Sequence, residues 1–405
     1  MTLHARTVPV DDPGELIPRL PSPDGVAWVR HGHGLVGWGE TLRVELGTGP
    51  DRFRRAAGAL AGAKVDDQVG LPGTGLVGFV AGTFDENDPG SVLIVPRVVL
   101  GRAEGHAWLT TAAEGTPPPP ADVPAKHALP MGTRLRYAGA SMPELQWLEA
   151  VDAATKTLQA GGTLAKIVLA RDLVAWTDTA FDPRLLARRL AARFDDCYTF
   201  TVDGLVGATP ELLVRRQGRQ VQALPLAGSA RRDPAPDVDA ALGAELLTSA
   251  KNQAEHRRAA ESVVDALADV TTHLDADDEP WLLRLANIQH LATLVQGDLA
   301  STSTTVMDLV TRLHPTAAVC GTPRHEALAE IRRLELFSRG RYAGPVGWVD
   351  QHGDGEFGIA LRCAQVNGSR ARLFAGAGIM ADSLPEAELE ETRIKFHAMQ
   401  SAFGN

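Results

Sequence analysis

The 405-residue sequence predicts an α+β fold built on large antiparallel sheets. Three observations predict it. Strand-like runs arrive as hairpins, with turn signals at Gln217-Gly218-Arg219, Gly353-Asp354-Gly355 and Asn367-Gly368. Strands and helices do not alternate strictly, as a doubly wound parallel sheet would require. No internal repeat recurs at a fixed period.

The elements follow in order. Gly75-Leu-Val-Gly-Phe-Val-Ala-Gly82 and Ser91-Val-Leu-Ile-Val-Pro96 read as short strands, in a region where few candidate catalytic groups cluster. Thr116-Pro-Pro-Pro-Pro-Ala-Asp-Val-Pro124 is a stiff extended connector. Ser141-Met-Pro143-Glu144 opens a helix to about Gln159, which Gly161-Gly162 ends. Lys166-Ile-Val-Leu-Ala-Arg171-Asp-Leu-Val reads as a strand, and Asp182-Pro183 starts a helix through about Phe194. Strands at Tyr198-Thr-Phe-Thr-Val, Glu211-Leu-Leu-Val-Arg and Gln220-Val-Gln-Ala-Leu precede one long helical region from about Asp237 to Val270. Near the end, Ser383 and Glu386 form a capping-box pattern with Pro385 in the first turn of a helix.

Composition narrows the function classes. Apolar residues make up 44% and charged residues 22%, as in ordinary soluble globular proteins. The net charge of −10 argues against nucleic acid as the main partner. No apolar run reaches membrane-spanning length, and the first residues lack the apolar run of a signal peptide. Cys197, Cys320 and Cys363 are odd in number and far apart, which fits neither a zinc site nor a disulfide framework. The expectation is a reducing cytoplasm, with Cys363 a small buried hydrophobe in its strand.

Several residues carry candidate chemistry. Glu388, Glu391 and Lys395 recur at i, i+3, i+7, so one helical stripe holds two carboxylates and an amine. The glycine-rich Phe374-Ala-Gly376-Ala-Gly378-Ile-Met precedes that helix. A bare backbone beside carboxylates suits an anion held with a divalent metal, while the plainer reading is a solvated helix with i,i+4 pairs. Lys166 opens an alternating strand and either snorkels to water or serves as a partly buried amine base. Glu211, between Pro210 and an apolar strand, is either a solvated strand-end carboxylate or an acid kept protonated by apolar neighbours. Lys251 to Glu261 has the charge density of an exposed helical face, so Glu255 matters only if it turns inward to share a cation with Glu391. Gly228-Ser229 ends a strand in a turn whose N–H groups suit an oxyanion. Tyr342-Ala-Gly-Pro-Val-Gly-Trp and Gly358-Ile-Ala-Leu-Arg362 pair around the Gly353 turn, and an inward Arg362 needs an anion. His290 reads equally as a satisfied core histidine or a substrate contact.

Taken in order, these motifs resemble the chorismate-utilising enzymes. The resemblance is carried by Lys166-Ile-Val-Leu-Ala-Arg, Thr-Pro-Glu211-Leu-Leu, Pro-Leu-Ala-Gly228-Ser-Ala-Arg, Glu255-His and His290-Leu-Ala-Thr. It continues through His314-Pro-Thr-Ala-Ala-Val-Cys-Gly-Thr-Pro, Tyr342-Ala-Gly-Pro-Val-Gly-Trp, Ile-Ala-Leu-Arg362-Cys-Ala and Phe-Ala-Gly376-Ala-Gly-Ile, ending at Glu391-Thr-Arg-Ile-Lys395. It covers residues 140 to 405, while the first 115 match only loosely. The division expected is 1–135, the N-terminal part of one fold, and 136–405, the chorismate-binding catalytic region.

The resemblance implies two large antiparallel sheets face to face with helices outside. It implies Mg²⁺ held by Glu255 and Glu391 with Glu388 close by, and the ring carboxylate of chorismate on that metal. Lys166 would be the base that activates water for attack at C2, and Glu211 the acid that protonates the departing C4 hydroxyl. Arg362 and Tyr342 would hold the enolpyruvyl carboxylate. Gly376, Gly378 and Lys395 would line the ring-carboxylate end, and His290 would help position the ring. The implied partner is a small molecule, with no nucleic acid and no membrane, and the chain would be a monomer.

Within the family, the residues resemble the branch that converts chorismate to isochorismate. Anthranilate synthases resemble the chain but carry glutamine where Lys166 stands. Aminodeoxychorismate synthases carry a nucleophilic lysine where this chain has Ala227. Salicylate synthases share base and acid and also eliminate pyruvate; they tend to have Ala-Gly-Thr-Arg where this chain has Ala227-Gly-Ser-Ala-Arg. They are the enzyme alternative, and a catalytically silent chorismate-binding homologue is the non-enzyme one. The product would feed menaquinone, siderophore or salicylate synthesis, which the residues do not distinguish.

Overall fold

The computed structural model describes residues 2–119, 121–128, 135–286 and 288–404. Pro120 of the proline-rich connector and the residues just before the expected 135/136 boundary lie outside them. Among the described residues, most strands fall into two sheets, one of thirteen strands and one of nine. Pairing is antiparallel throughout except where Leu3–Pro9 runs parallel to Lys64–Asp67. A third, three-stranded sheet of Leu226–Arg231, Ile288–Ala292 and Trp281–Arg284 was not anticipated.

The larger sheet places Lys166–Trp176 beside Arg370–Ile379, with Val168 opposite Gly378 and Ala170 opposite Gly376. The smaller sheet centres on Leu212–Gln217, Gly355–Ile359 and Pro345–Asp350. The main core lies between the two sheets, where Trp28, Leu169, Phe200 and Phe374 of one meet Phe79, Val214, Val221 and Phe357 of the other. A second core packs the outer face of the larger sheet against the helices Pro183–Arg193 and Pro385–Phe403, through Leu186, Leu190, Phe396 and Met399. Strands from residues 3–114 occupy both sheets, so early and late chain segments share one core.

Local signals explain the helices, with two corrections. Asp182 caps Pro183–Arg193 by accepting from the Arg184 amide, as its position suggests. The expected single helix over about 237–270 is two, Pro236–Thr248 and Ala250–Ala268. Ser249 separates them with an extended backbone and caps the second by accepting from the Asn252 amide. The capping box expected at Ser383 does not form, because Leu384 takes the cap position of Pro385–Phe403. The Ser383 hydroxyl instead donates to Glu388 at 2.6 Å and accepts from the Met380 amide at 3.0 Å.

Candidate active site

A cavity of about 380 Å³ opens where Lys166–Trp176 and Arg370–Ile379 meet the helices Ala250–Ala268 and Pro385–Phe403. That volume suits a small molecule. All twelve candidate residues line it: Lys166, Glu211, Gly228, Glu255, His290, Tyr342, Arg362, Gly376, Gly378, Glu388, Glu391 and Lys395.

Lys166 is 6% exposed and donates from Nζ to Glu255 Oε1 at 2.6 Å. Glu255 therefore does turn inward from its charge-rich helix. Burial pushes its carboxyl up, but the charge and hydrogen bond of Lys166, with Lys395 and Lys251 beyond, outweigh burial and hold it below the ordinary range. Gly378 makes this pairing possible. A Cβ there would lie 3.0 Å from Lys166 Cε and 3.7 Å from Glu255 Oε1.

Glu211 is 4% exposed, just ahead of the strand Leu212–Gln217. Burial pushes its carboxyl up to about 8, against a smaller opposing pull from the charge of Lys166. At neutral pH it is therefore a protonated acid facing the same cavity as the amine.

His290 and Arg362 form the far wall. Arg362 Nη2 donates to His290 Nε2 at 3.1 Å, so that nitrogen is the acceptor of a neutral ring. Nδ1 faces Ser229 Oγ at 2.9 Å and the Gly228 carbonyl at 3.3 Å. Burial, then the charges of Arg362 and Lys395, push His290 down to about 3. Among the described residues no carboxylate pairs with Arg362, whose backbone takes a left-handed φ of 45°. A half-buried guanidinium without a carboxylate partner is a seat for an anion. Tyr342 stacks on Phe374 with centroids 5.0 Å apart. Gly376 leaves room for the tyrosine hydroxyl, which a Cβ would approach to 3.0 Å. Gly228, with φ of 72°, sits at a bulge inside the strand Leu226–Arg231 rather than in the expected terminal turn.

The three glutamates lie on one side of the cavity, each with one oxygen on a protein donor. Glu255 meets Lys166, Glu388 meets Ser383 and Glu391 meets Lys395, all at 2.6 Å. Among the described residues no three acid, histidine or cysteine side chains converge into a ready-made ion site. The donor chemistry nonetheless fits a hard cation that keeps much of its water. Burial raises the Glu388 carboxyl, and the nearby charge of Glu391 raises it further, a crowding that a cation offsets. Lys395 also donates to the Gly376 carbonyl at 2.8 Å, tying the helix to the glycine-rich strand.

Sequence reasoning missed Lys251, Asn252, Arg339 and Phe374, which also line the cavity. Asn252 and Lys251 were legible only as neighbours of Glu255. Arg339 stands in an i,i+4 pair with Glu335 that looks like a solvated surface pair, yet both residues are buried.

A sheet-enclosed anion pocket with an amine, a protonated acid and clustered carboxylates defines an enzyme-like site for a small carboxylate. The chain belongs to the chorismate binding enzyme family, which it matches over residues 28–404. It is 42% identical to isochorismate synthase DhbC of Bacillus subtilis over 60% of this chain and 64% of that one. It is 38% identical to isochorismate synthase EntC of Escherichia coli over 65% of this chain and 68% of that one. The structure of MenF, the menaquinone-specific isochorismate synthase from Escherichia coli, superposes with a TM-score of 0.82 at 26% identity, covering 99% of this chain and 94% of that one. The aligned sequence thus spans about two thirds of these curated relatives. Among the described residues, no helix is long and apolar enough to cross a membrane.

Proposed function

We propose that this protein is an isochorismate synthase, converting chorismate reversibly to isochorismate in the presence of Mg²⁺. The observation that carries the reading is the pairing of a buried amine with a buried, protonated acid in one small-molecule cavity. Lys166 accepts a proton from water as its oxygen bonds to C2, the ring double bonds shift, and Glu211 gives its proton to the C4 hydroxyl as that bond breaks. Water in and water out balance, so the net change is an isomerisation. Arg362 and Tyr342 receive the enolpyruvyl carboxylate, His290 helps position the ring as a neutral imidazole, and Lys395 with Gly376 and Gly378 frames the ring carboxylate.

Glu255, Glu388 and Glu391 would hold Mg²⁺, which when bound supplies an anchor for a carboxylate and offsets charge among the acids. Residues 1–135 and 136–405 act as one unit in this reading, supported by their shared core. The chain acts as a monomer in the cytoplasm, without nucleic acid or membrane partners.

Product analysis tests the reading. Purified protein is incubated with chorismate and Mg²⁺, with and without chelator, and products are resolved by chromatography. Isochorismate formed only with the metal supports the proposal. Salicylate with pyruvate, above an enzyme-free control, moves the chain to the lyase-competent branch. No product under any metal or amine condition makes it a silent homologue.

A further inference from the structure

The strand that carries Lys166 has a gap along one edge. One side pairs with Arg370–Ile379 from Ile167 to Trp176, while the other meets Gly321–Thr322 at Lys166 and Ile167 and Arg136–Gly139 at Val174–Trp176. Between those two partners, among the described residues, the groups at Val168 and Ala170 face no neighbouring strand. Buried backbone groups need partners, and here they come from scattered sources. The Val168 amide donates to the Cys320 carbonyl at 2.8 Å, and the Ala170 carbonyl accepts from Trp147 Nε1 at 3.1 Å. The remaining two are met by one ion pair. Glu335 Oε1 accepts from the Ala170 amide at 2.8 Å, and Arg339 Nη2 donates to the Val168 carbonyl at 2.6 Å. Arg339 also donates to Glu335 Oε2 at 2.9 Å and to the Val319 carbonyl at 2.8 Å.

We infer that Glu335, through its pair with Arg339, is a positioning residue for Lys166, standing in for the missing strand and fixing the edge from which the amine projects. Charged partners on both the acceptor and donor groups make stiffer contacts than a water-covered edge would. Val168 is two residues from Lys166, so a shift of this edge moves Nζ relative to Glu255 and to Glu211 across the cavity. Glu335 does not line the cavity. Its loss therefore acts through geometry rather than through substrate contact, whereas Arg339 reaches the cavity wall and is less discriminating.

The inference rests on the proposed synthase activity, and the test separates the two. Glu335→Gln keeps an acceptor for the Ala170 amide but loses the charge that organises Arg339. The double variant Glu335→Met with Arg339→Met removes both charges together, leaving no orphaned buried arginine, and guards against failure to fold. Steady-state kinetics with chorismate and hydrogen exchange of the 166–170 amides are compared with the unsubstituted protein. Expected for both variants are faster exchange at Val168–Ala170 and a kcat reduced by about 10²-fold, the scale of a small misplacement of a reacting group. KM should change little for Glu335→Gln, while the double variant, which alters the cavity wall at Arg339, is read by exchange and kcat. A kcat equal to the unsubstituted protein overturns the inference, as does a loss of kcat with unchanged exchange. If the unsubstituted protein forms no isochorismate, the functional reading fails, and exchange alone then decides whether the pair holds the strand.

Discussion

Lys166 Nζ and Glu255 Oε1 lie 2.6 Å apart, joining a strand and a helix 89 residues apart in the chain. In the proposed mechanism one partner is the base and the other a metal ligand, so the two roles are coupled. Were a cation held by Glu255, it would share that carboxylate with Lys166, so a change at either residue would be felt at the other.

Lys166→Ala should abolish isochorismate formation while sparing the fold. Deleting one side of a partly buried pair leaves Glu255 without the charge that offsets its burial. Its carboxyl should therefore rise, which carbon-detected titration reads directly. Near-normal turnover would remove Lys166 from the base role.

Glu211→Gln should remove the acid and cut kcat at least about 10²-fold, the contribution typical of general acid catalysis. In the unsubstituted protein the alkaline limb of the rate profile should fall through about pH 8, as Glu211 loses its proton. Stability carries the same signature. The folded value lies above the unfolded one, so stability from this group is complete below about pH 4 and is lost as pH rises toward about 8. Denaturation at pH 5 and pH 8 should show Glu211→Gln less pH-sensitive than the parent, by on the order of 3 kcal/mol. Equal pH slopes would show that the carboxyl ionises normally.

Glu391→Gln should shift the Mg²⁺ titration of activity to higher concentration. The same change frees Lys395 from its 2.6 Å partner, so chorismate affinity is measured alongside at saturating metal. An unchanged magnesium midpoint would mean that this carboxylate is not a ligand.

Gly378→Ala should lower kcat with modest loss of stability. The added methyl would sit 3.0 Å from Lys166 Cε, displacing the amine from Glu255 without disturbing the backbone pairing opposite Val168. Turnover at the parent rate would mean that the lysine has slack to move aside.

The candidate residues were legible as short motifs, each open to a plain reading alone, and it was their order along the chain, through the family resemblance, that assembled them into one site. Gly376 and Gly378 alternate along a strand, Glu388, Glu391 and Lys395 keep helical spacing, and Pro210 fixes the approach to Glu211. Orientation was harder to read. Whether Glu255 faced water or the cavity depended on packing by a strand 89 residues away. The Glu335–Arg339 pair was not singled out, because i,i+4 spacing alone does not reveal burial. Ser383 lost its capping role to Glu388, a competition that a local motif does not register. The break at Ser249 was hidden by helix-favouring neighbours on both sides, although serine is itself a capping signal.

The weave of the sheets bears on how the chain comes into being. Trp28 waits for Phe200 opposite it, and Phe79 for Trp348. A nascent chain emerging from the ribosome can pair several of its early strands with one another, but one edge of Val26–Arg30 and one of Val77–Ala81 stay open until Phe200 and Trp348 have been made. Such distant pairings make for slow folding and prolonged exposure of apolar edges. Production of this protein should accordingly be limited by chaperone supply and temperature more than by the stability of the finished molecule.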